Sequence, residues 1–191
     1  MLEVEMKYRV ADHAPVEARL GDWGARPSAD HAEEDHYLNA PDRDFARTDE
    51  ALRLRRIGDA NILTYKGPRR DTTTKTRTEL EVACPPGDDA AAAFLALFTH
   101  LGYRRTAVVR KRRRIYDLDR AGFRVHVCLD DVEGVGRFVE LEIVAEEAGE
   151  AEALAVLART AAELELQDGE TRSYLEQLLG VAVPLRKPAP V

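Results

Sequence analysis

The chain has 191 residues, 45% of them hydrophobic, and this length is typical of a single domain with a sizeable core. Lysine and arginine total 28 against 35 aspartates and glutamates, so the net charge of −7 argues against nucleic-acid binding by a general basic surface. Cys84 and Cys128 are far apart in the sequence, which disfavours a disulfide scaffold and a zinc site. No apolar run is as long as a signal-peptide core or a membrane span, and we therefore expect a soluble, cytoplasmic protein without a membrane partner.

Alternation of apolar and polar residues predicts strands at 2–10, 51–57, 61–66, 74–83, 108–117, 123–132 and 138–144. Helix formers with apolar residues three or four apart predict helices at 13–22, 88–101 and 147–166, and a short helix at 173–179. Gly58-Asp59 predicts the turn of a hairpin, and Gly67-Pro68 is expected to end its second strand because proline cannot donate to a ladder. We expect one domain over 1–180 and a separate tail at 181–191.

One side of each predicted strand is charged. Because side chains alternate along a strand, Glu3, Glu5 and Lys7 share one face of the first strand, opposite Val4 and Met6. The charged faces of the predicted strands comprise Glu3, Glu5, Lys7, Arg9, Arg53, Arg55, Lys66, Lys75, Arg77, Glu79, Glu81, Lys111, Arg113, Arg124, Asp130, Glu140 and Glu142. In most sheets such a side simply faces water. Here bases outnumber acids in the set although the whole chain is acidic, which indicates a specialised surface.

A barrel would account for this surface, because the helices could cover the apolar sides from outside and leave the charged sides to line the interior. Such an interior cannot be dry, since each desolvated charge costs several kcal/mol unless it is paired or bound to a ligand. Carboxylates two residues apart on a strand, about 7 Å from each other, suit hard cations such as Mg²⁺ or Mn²⁺. Arginine and lysine suit phosphate oxygens. The pattern therefore predicts a wet tunnel that binds a metal-bound polyphosphate.

The segment Glu3-Val-Glu5-Met-Lys7 resembles the ExExK opening of CYTH domains, a family that includes class IV adenylate cyclases and thiamine triphosphatases. Further segments follow in the order of the family: Asp35-His-Tyr37, Leu52-Arg-Leu-Arg55, Tyr65-Lys-Gly-Pro68, Arg77-Thr-Glu-Leu-Glu81, Lys111-Arg-Arg113, Asp130 to Gly136, Phe138-Val-Glu-Leu-Glu142 and Arg172-Ser-Tyr174. The resemblance covers residues 1–180. It implies an α+β fold in which an eight-stranded antiparallel β-barrel forms a triphosphate tunnel with helices packed outside.

The resemblance also implies the ligands and the residues that bind them. The cofactors would be two divalent cations, Mg²⁺ or Mn²⁺, and the substrate would be ATP or another triphosphate. The metal ligands would be Glu3, Glu5, Asp130, Glu140 and Glu142, of which all but Asp130 would also be catalytic. The triphosphate would be bound by Lys7, Arg53, Arg55, Lys66, Lys111 and Arg113. Barrels of this family are often dimers, so a homodimer is an alternative to a monomer.

For several of these residues the sequence allows two different roles. Glu79 and Glu81 match family acids that either bind metal or form structural ion pairs. Lys75 and Arg77 either reach the tunnel or lie exposed near a strand end. His126 shares the charged face with Arg124 and Asp130, which allows a catalytic or phosphate-contacting role, and a structural histidine is the alternative. The neighbouring bases Arg110, Arg112 and Arg114 are expected on the outer surface.

The C-terminal segment helps to choose between activities. Hydrolase branches of the family often carry a lysine near the C-terminal helix, whereas this chain has Arg172-Ser173-Tyr174, which resembles the cyclase branch. A class IV adenylate cyclase that converts ATP to cyclic AMP and pyrophosphate is therefore the first hypothesis. The alternatives are a hydrolase of inorganic triphosphate or thiamine triphosphate, and a non-catalytic binder of nucleotides or polyphosphate.

Overall fold

The computed structural model describes residues 2–69 and 77–180. Lys75 and the predicted tail at 181–191 lie outside these residues. Within them, the chain forms eight β-strands, five α-helices and one short 3₁₀ helix. In chain order the elements are β1 Leu2–Val10, α1 Ala14–Asp22, β2 Arg26–Asn39, α2 Phe45–Thr48, β3 Ala51–Ile57, β4 Ala60–Arg69, β5 Arg77–Cys84, α3 Asp88–His100, β6 Arg104–Arg120, β7 Phe123–Val132, β8 Gly136–Ala145, the 3₁₀ helix Glu147–Gly149, α4 Glu150–Glu163 and α5 Tyr174–Leu178.

The strands form one antiparallel sheet in the order β1-β8-β7-β6-β2-β3-β4-β5. The sheet curls into a half-barrel, because side chains of the two edge strands, β1 and β5, line one cavity. The expected eight-stranded antiparallel architecture with helices outside is confirmed.

Strand β2 is absent from the predicted set of strands. It spans 14 residues and pairs with β6 on one side and β3 on the other. Both of its faces are polar along much of its length, with Glu33 and Asp35 on the concave face and Asp30 and Glu34 on the convex face. A pattern search for apolar alternation cannot detect such a strand, since its partners rather than its own residues determine its conformation.

The expected end of β4 at Gly67-Pro68 is wrong, because β4 continues to Arg69. Lys66 pairs with Glu79 and Arg69 pairs with Arg77, so β4 has one more residue than β5 between these two pairs. This β-bulge leaves Pro68 without a ladder hydrogen bond to donate, which is how a proline is accommodated inside a strand.

The convex face of the sheet is covered by helices. The larger core packs α1 and α4 against β1, β7 and β8, with Leu20 and Leu157 fully buried against Val127 and Leu141. A second core packs α3 against β3, where Leu54 is fully buried. Each such side chain contributes about 1.5–3 kcal/mol of hydrophobic stabilisation. These cores fix the curvature of the sheet and leave the concave face to the polar residues. No helix in the described part of the chain is long and apolar enough to cross a membrane.

Candidate active site

The concave face encloses a cavity of about 340 Å³. Its charged lining comes from seven of the eight strands, and α5 lies at one end of it. The predicted site residues that line it are Glu3, Glu5, Lys7, Arg53, Arg55, Lys66, Glu79, Glu81, Lys111, Arg113, Glu140 and Glu142. The predicted residues Asp130 and His126 do not line the cavity. On the strands that line the cavity, alternation therefore directs the predicted charged side chains into one shared space, whereas β7 contributes none of its predicted residues.

Four carboxylates form one wall of the cavity. Strands β1 and β8 are neighbours in the sheet, and Glu5 lies directly opposite Glu142 in their register. Glu3 and Glu140 extend this acidic wall along the same two strands. Like charges opposite each other across two strands are destabilising, so a wall of this composition requires positive charge nearby.

The pKa values of two carboxylates in this wall, Glu142 and Glu3, are raised. Burial raises the pKa of Glu142, Arg113 opposes this effect, and the carboxylates of Glu3, Glu140 and Glu5 add to it, which brings the pKa to about 8. Desolvation and the neighbouring carboxylates, Glu5 among them, also raise the pKa of Glu3 against the opposing charge of Lys66, but Glu3 is an exposed residue, so water weakens this effect. The shift of Glu142 means that its ionised carboxylate is not fully compensated by the positive charge of the protein alone.

Arg113 is the base that contacts this wall most closely. Its guanidinium donates to Glu140 and, at 3.3 Å, to Glu142 Oε1. It also donates to both carboxylate oxygens of Asp130, from Nε to Oδ1 at 2.8 Å and from Nη2 to Oδ2 at 2.6 Å. Within residues 2–69 and 77–180, no three His, Cys, Asp or Glu side chains are arranged to hold a metal ion as they stand. The donor chemistry nevertheless fits a hard divalent cation, because the wall offers carboxylate oxygens that lack sufficient positive charge.

The opposite wall is basic. Arg55 binds Asp35 through two hydrogen bonds of 2.7 and 2.8 Å, and Lys66 pairs with Glu79 at 2.8 Å. Arg53 differs from these, because its contact with Asp35 is a long 3.5 Å. The buried Nε of Arg53 has no hydrogen-bond partner among the described residues. A buried N–H group without an acceptor destabilises the folded protein, and an anion in the cavity would accept a hydrogen bond from it.

Two buried acids of the basic wall were not assigned a role from the sequence. Glu33 and Asp35 on β2 are 4% and 2% exposed. Burial would raise the pKa of Glu33, but Lys111, Arg55 and Arg113 lower it to about 2. Burial acts likewise on Asp35, and Arg53, Arg55 and Lys111 hold its pKa well below its ordinary value. The Asp35-His-Tyr37 motif was the one sequence signal of these acids.

Tyr174 closes one end of the cavity and was also assigned no role from the sequence. It is the first residue of α5, whose start is fixed by a capping box between Ser173 and Glu176. Its hydroxyl donates to Asp130 Oδ2 at 2.8 Å, and its ring lies 4.3 Å from Lys7 Nζ. Asp130 is fully buried and is surrounded by Arg113, Tyr174 and Lys111.

The other predicted residues make contacts of their own, either beside the cavity or on the convex face. His126 Nδ1 lies 2.9 Å from Asp117 Oδ1, and its side chain is 34% exposed. Glu81 accepts a hydrogen bond of 3.1 Å from Thr64. On the convex face, Arg110 and Arg112 pair with Glu34 and Asp30, so their expected outward placement is confirmed. Arg114 points to the same side and pairs with Glu17 of α1.

Comparison with known proteins gives consistent results. A family profile described as the CYTH domain matches residues 1–174. A Methanocaldococcus jannaschii protein, named as a candidate adenylate cyclase, is 38% identical over 142 residues, which are 74% of this chain and 77% of that protein. The adenylate cyclase CyaB of Aeromonas hydrophila is 32% identical over 148 residues, which are 76% of this chain and 70% of that protein.

Solved structures share the fold. The PH1819 protein of Pyrococcus horikoshii superimposes with a TM-score of 0.81 at 36% identity and covers 93% of this chain and 98% of its own. A Hippeastrum protein described as a candidate adenylyl cyclase with a dominant triphosphatase activity has a TM-score of 0.65 at 15% identity, covering 95% of this chain and 98% of its own. At that identity the likeness concerns the fold alone. From its sequence match and its tunnel-forming sheet, the chain belongs to the CYTH domain family.

Proposed function

We propose that this protein is a metal-dependent phosphoryl-transfer enzyme that acts on a triphosphate, and that its reaction is the conversion of ATP to cyclic AMP and pyrophosphate. The observation that carries the proposal is the division of one cavity into two walls. Four carboxylates, among them Glu142 with its raised pKa, form one wall, and the other contains Arg53, whose buried Nε lacks a partner in the described residues. A polyphosphate with bound divalent cations would supply positive charge to the acidic wall and a hydrogen-bond acceptor to Arg53.

Glu3, Glu5, Glu140 and Glu142 would hold the divalent cations, Mg²⁺ or Mn²⁺. When bound, such cations neutralise the charge of the phosphate oxygens and of the leaving pyrophosphate. The assignment of Asp130 as a fifth ligand stays a prediction, and its present contacts are with Arg113, Lys111 and Tyr174.

Lys7, Arg53, Arg55, Lys66, Lys111 and Arg113 would bind the triphosphate. Arg53 offers the clearest free donor, since its Nε is unsatisfied among the described residues. The side chain of Arg113 is 9% exposed and pairs with Glu140 and Glu142 of the acidic wall, so it would also set the charge of that wall. In phosphoryl transfer, such side chains act by positioning the phosphates and by neutralising charge.

In the proposed reaction, the 3′-hydroxyl oxygen of ATP forms a bond to the α-phosphorus, and the bond from that phosphorus to the pyrophosphate oxygen breaks. The hydroxyl proton passes to solvent water, and no side chain of the protein is proposed as a general base. The names of the two sequence relatives support the cyclase, as does the Arg172-Ser173-Tyr174 ending.

Product analysis tests the proposal. The purified protein would be incubated with ATP, tripolyphosphate or thiamine triphosphate, each with Mg²⁺ or Mn²⁺, and the products separated by chromatography. Cyclic AMP together with pyrophosphate is the expected result. Orthophosphate release would instead identify a triphosphate hydrolase, and no turnover of any substrate would leave a non-catalytic binder.

A pair of variants tests the site assignment in the same assay. Glu142→Gln should abolish metal-dependent turnover, because it removes a charge from the acidic wall. Asp131→Asn is the matched control, since Asp131 is an exposed residue of β7 that pairs with Arg137. Equal turnover by both variants would contradict the metal assignment.

A further inference from the structure

Strand β2 places two acids among the bases rather than on the acidic wall. Asp35 lies directly opposite Arg55 of β3, and Glu33 lies directly opposite Lys111 of β6. Strand β2 is thus inserted between the two strands that provide these bases. The residue directly across from each acid is therefore a base, and we propose that this base contacts the triphosphate.

The contacts of Asp35 fix the orientation of a guanidinium. Its two oxygens accept from Nε and Nη2 of Arg55 at 2.7 and 2.8 Å. This two-bond geometry holds the guanidinium plane, whereas a single contact would leave it free to rotate. Asp35 Oδ2 also lies 3.5 Å from Arg53 Nη1, so the same carboxylate touches both arginines of β3.

Glu33 extends the arrangement to the neighbouring strand. Its Oε2 lies 3.0 Å from Arg55 Nη2 and 3.2 Å from Lys111 Nζ. Glu33 does not line the cavity, so it reaches the ligand space only through the bases that it contacts. Low pKa values keep both acids charged over the physiological range.

We propose that Glu33 and Asp35 are positioning residues that hold Arg53, Arg55 and Lys111 in the orientation required by the triphosphate. The inference rests on the proposed function of the cavity. It adds that the acids of the tunnel have two separate tasks: those of β1 and β8 face cations, and those of β2 align bases. An ion pair that served stability alone would not affect how the bound substrate is aligned.

Loss of an aligning charge has a specific kinetic consequence. In Asp35→Asn, Arg55 keeps its positive charge and its contact with Glu33 but loses the carboxylate that holds its plane through two hydrogen bonds, so attraction for the triphosphate is retained or increased while its alignment is lost. We expect kcat to fall by about 10- to 100-fold, the usual effect of removing a supporting partner. The KM should be equal to or below that of the wild type, because ground-state attraction is not reduced. Glu33→Gln should show the same pattern.

The controls lie on the same strand. Glu34→Gln and Asp30→Asn remove acids of β2 that pair with Arg110 and Arg112 on the convex face, so they break more exposed ion pairs of the same strand away from the cavity. These variants should keep the wild-type kcat and KM. Asp35→Glu keeps the charge but moves it by one methylene, and it should fold and show a smaller loss of kcat than Asp35→Asn.

The experiment measures steady-state kinetics with Mg²⁺-ATP for all five variants, together with the folded fraction from circular dichroism and tripolyphosphate binding by calorimetry. A kcat of Asp35→Asn within twofold of wild type, or a loss that the folded fraction fully explains, would overturn the positioning role. A raised KM at unchanged kcat would overturn it as well, since it would indicate direct binding. If Asp35→Asn does not fold, Asp35→Glu and Glu33→Gln decide by the same criteria. A wild-type protein that neither binds tripolyphosphate nor turns over ATP would refute the proposed function itself.

Discussion

Replacing Glu142 by glutamine should make the metal-free protein more stable at alkaline pH. The carboxyl has an ordinary pKa of 4.5 and a pKa of about 8 in the folded protein. Between these two values the unfolded chain has already lost the proton that the folded protein retains. Rising pH therefore lowers the contribution of Glu142 to the free energy of unfolding by about 1.4 kcal/mol for each pH unit.

Over the whole interval this amounts to roughly 5 kcal/mol, which is an upper bound because 16% of the side chain is exposed. Glutamine has no proton to lose, and its amide oxygen can still accept from Arg113. The variant should thus gain stability relative to wild type as the pH rises from 5 to 8. The gain would come at the cost of activity, as is common for residues of a charged site.

Urea denaturation at several pH values, in the presence of a chelator, measures this difference. Glu152→Gln is a matched control because Glu152 is an exposed residue of α4. Addition of Mg²⁺ should stabilise the wild type at pH 8 more than it stabilises Glu142→Gln, since a bound cation favours the ionised carboxylate. Parallel stability curves for wild type and Glu142→Gln between pH 5 and 8 would refute the reasoning.

Three further outcomes follow from the structure. Arg53→Ala should raise the KM for the triphosphate by the equivalent of about 1.5–3 kcal/mol, measured by steady-state kinetics, and an unchanged KM would place this arginine outside the binding site. Leu54→Ala should lower the free energy of unfolding by about 2–5 kcal/mol because Leu54 is fully buried, whereas Leu97→Ala at a 52% exposed position should change it by less than about 0.5 kcal/mol. Tyr174→Phe should cost about 1.5–3 kcal/mol in urea denaturation, since it leaves one hydrogen bond of the buried Asp130 carboxylate unmade. A loss below 0.5 kcal/mol would show that Arg113 alone satisfies that carboxylate.

The sequence by itself determined which residues of each predicted strand share one face. Two-residue spacing assigns Glu3, Glu5 and Lys7 to one side of a strand whatever the strand pairs with, because the pleat is a local property of the backbone. The same rule holds for Arg53 and Arg55, and for Glu140 and Glu142. Helix positions could be predicted for the same reason, since amphipathic spacing is also local.

Only the tertiary structure decided which acid lies beside which base. Arg113 and Asp130 are 17 residues apart in sequence yet form a bidentate pair, and Asp35 meets Arg55 across 20 residues. Such contacts depend on strand order and register, which are set by the whole sheet rather than by any one segment. Strand β2 is the clearest example, because it lacks the apolar alternation that would predict a strand. The role of its acids is apparent only from their contacts with the bases of β3 and β6.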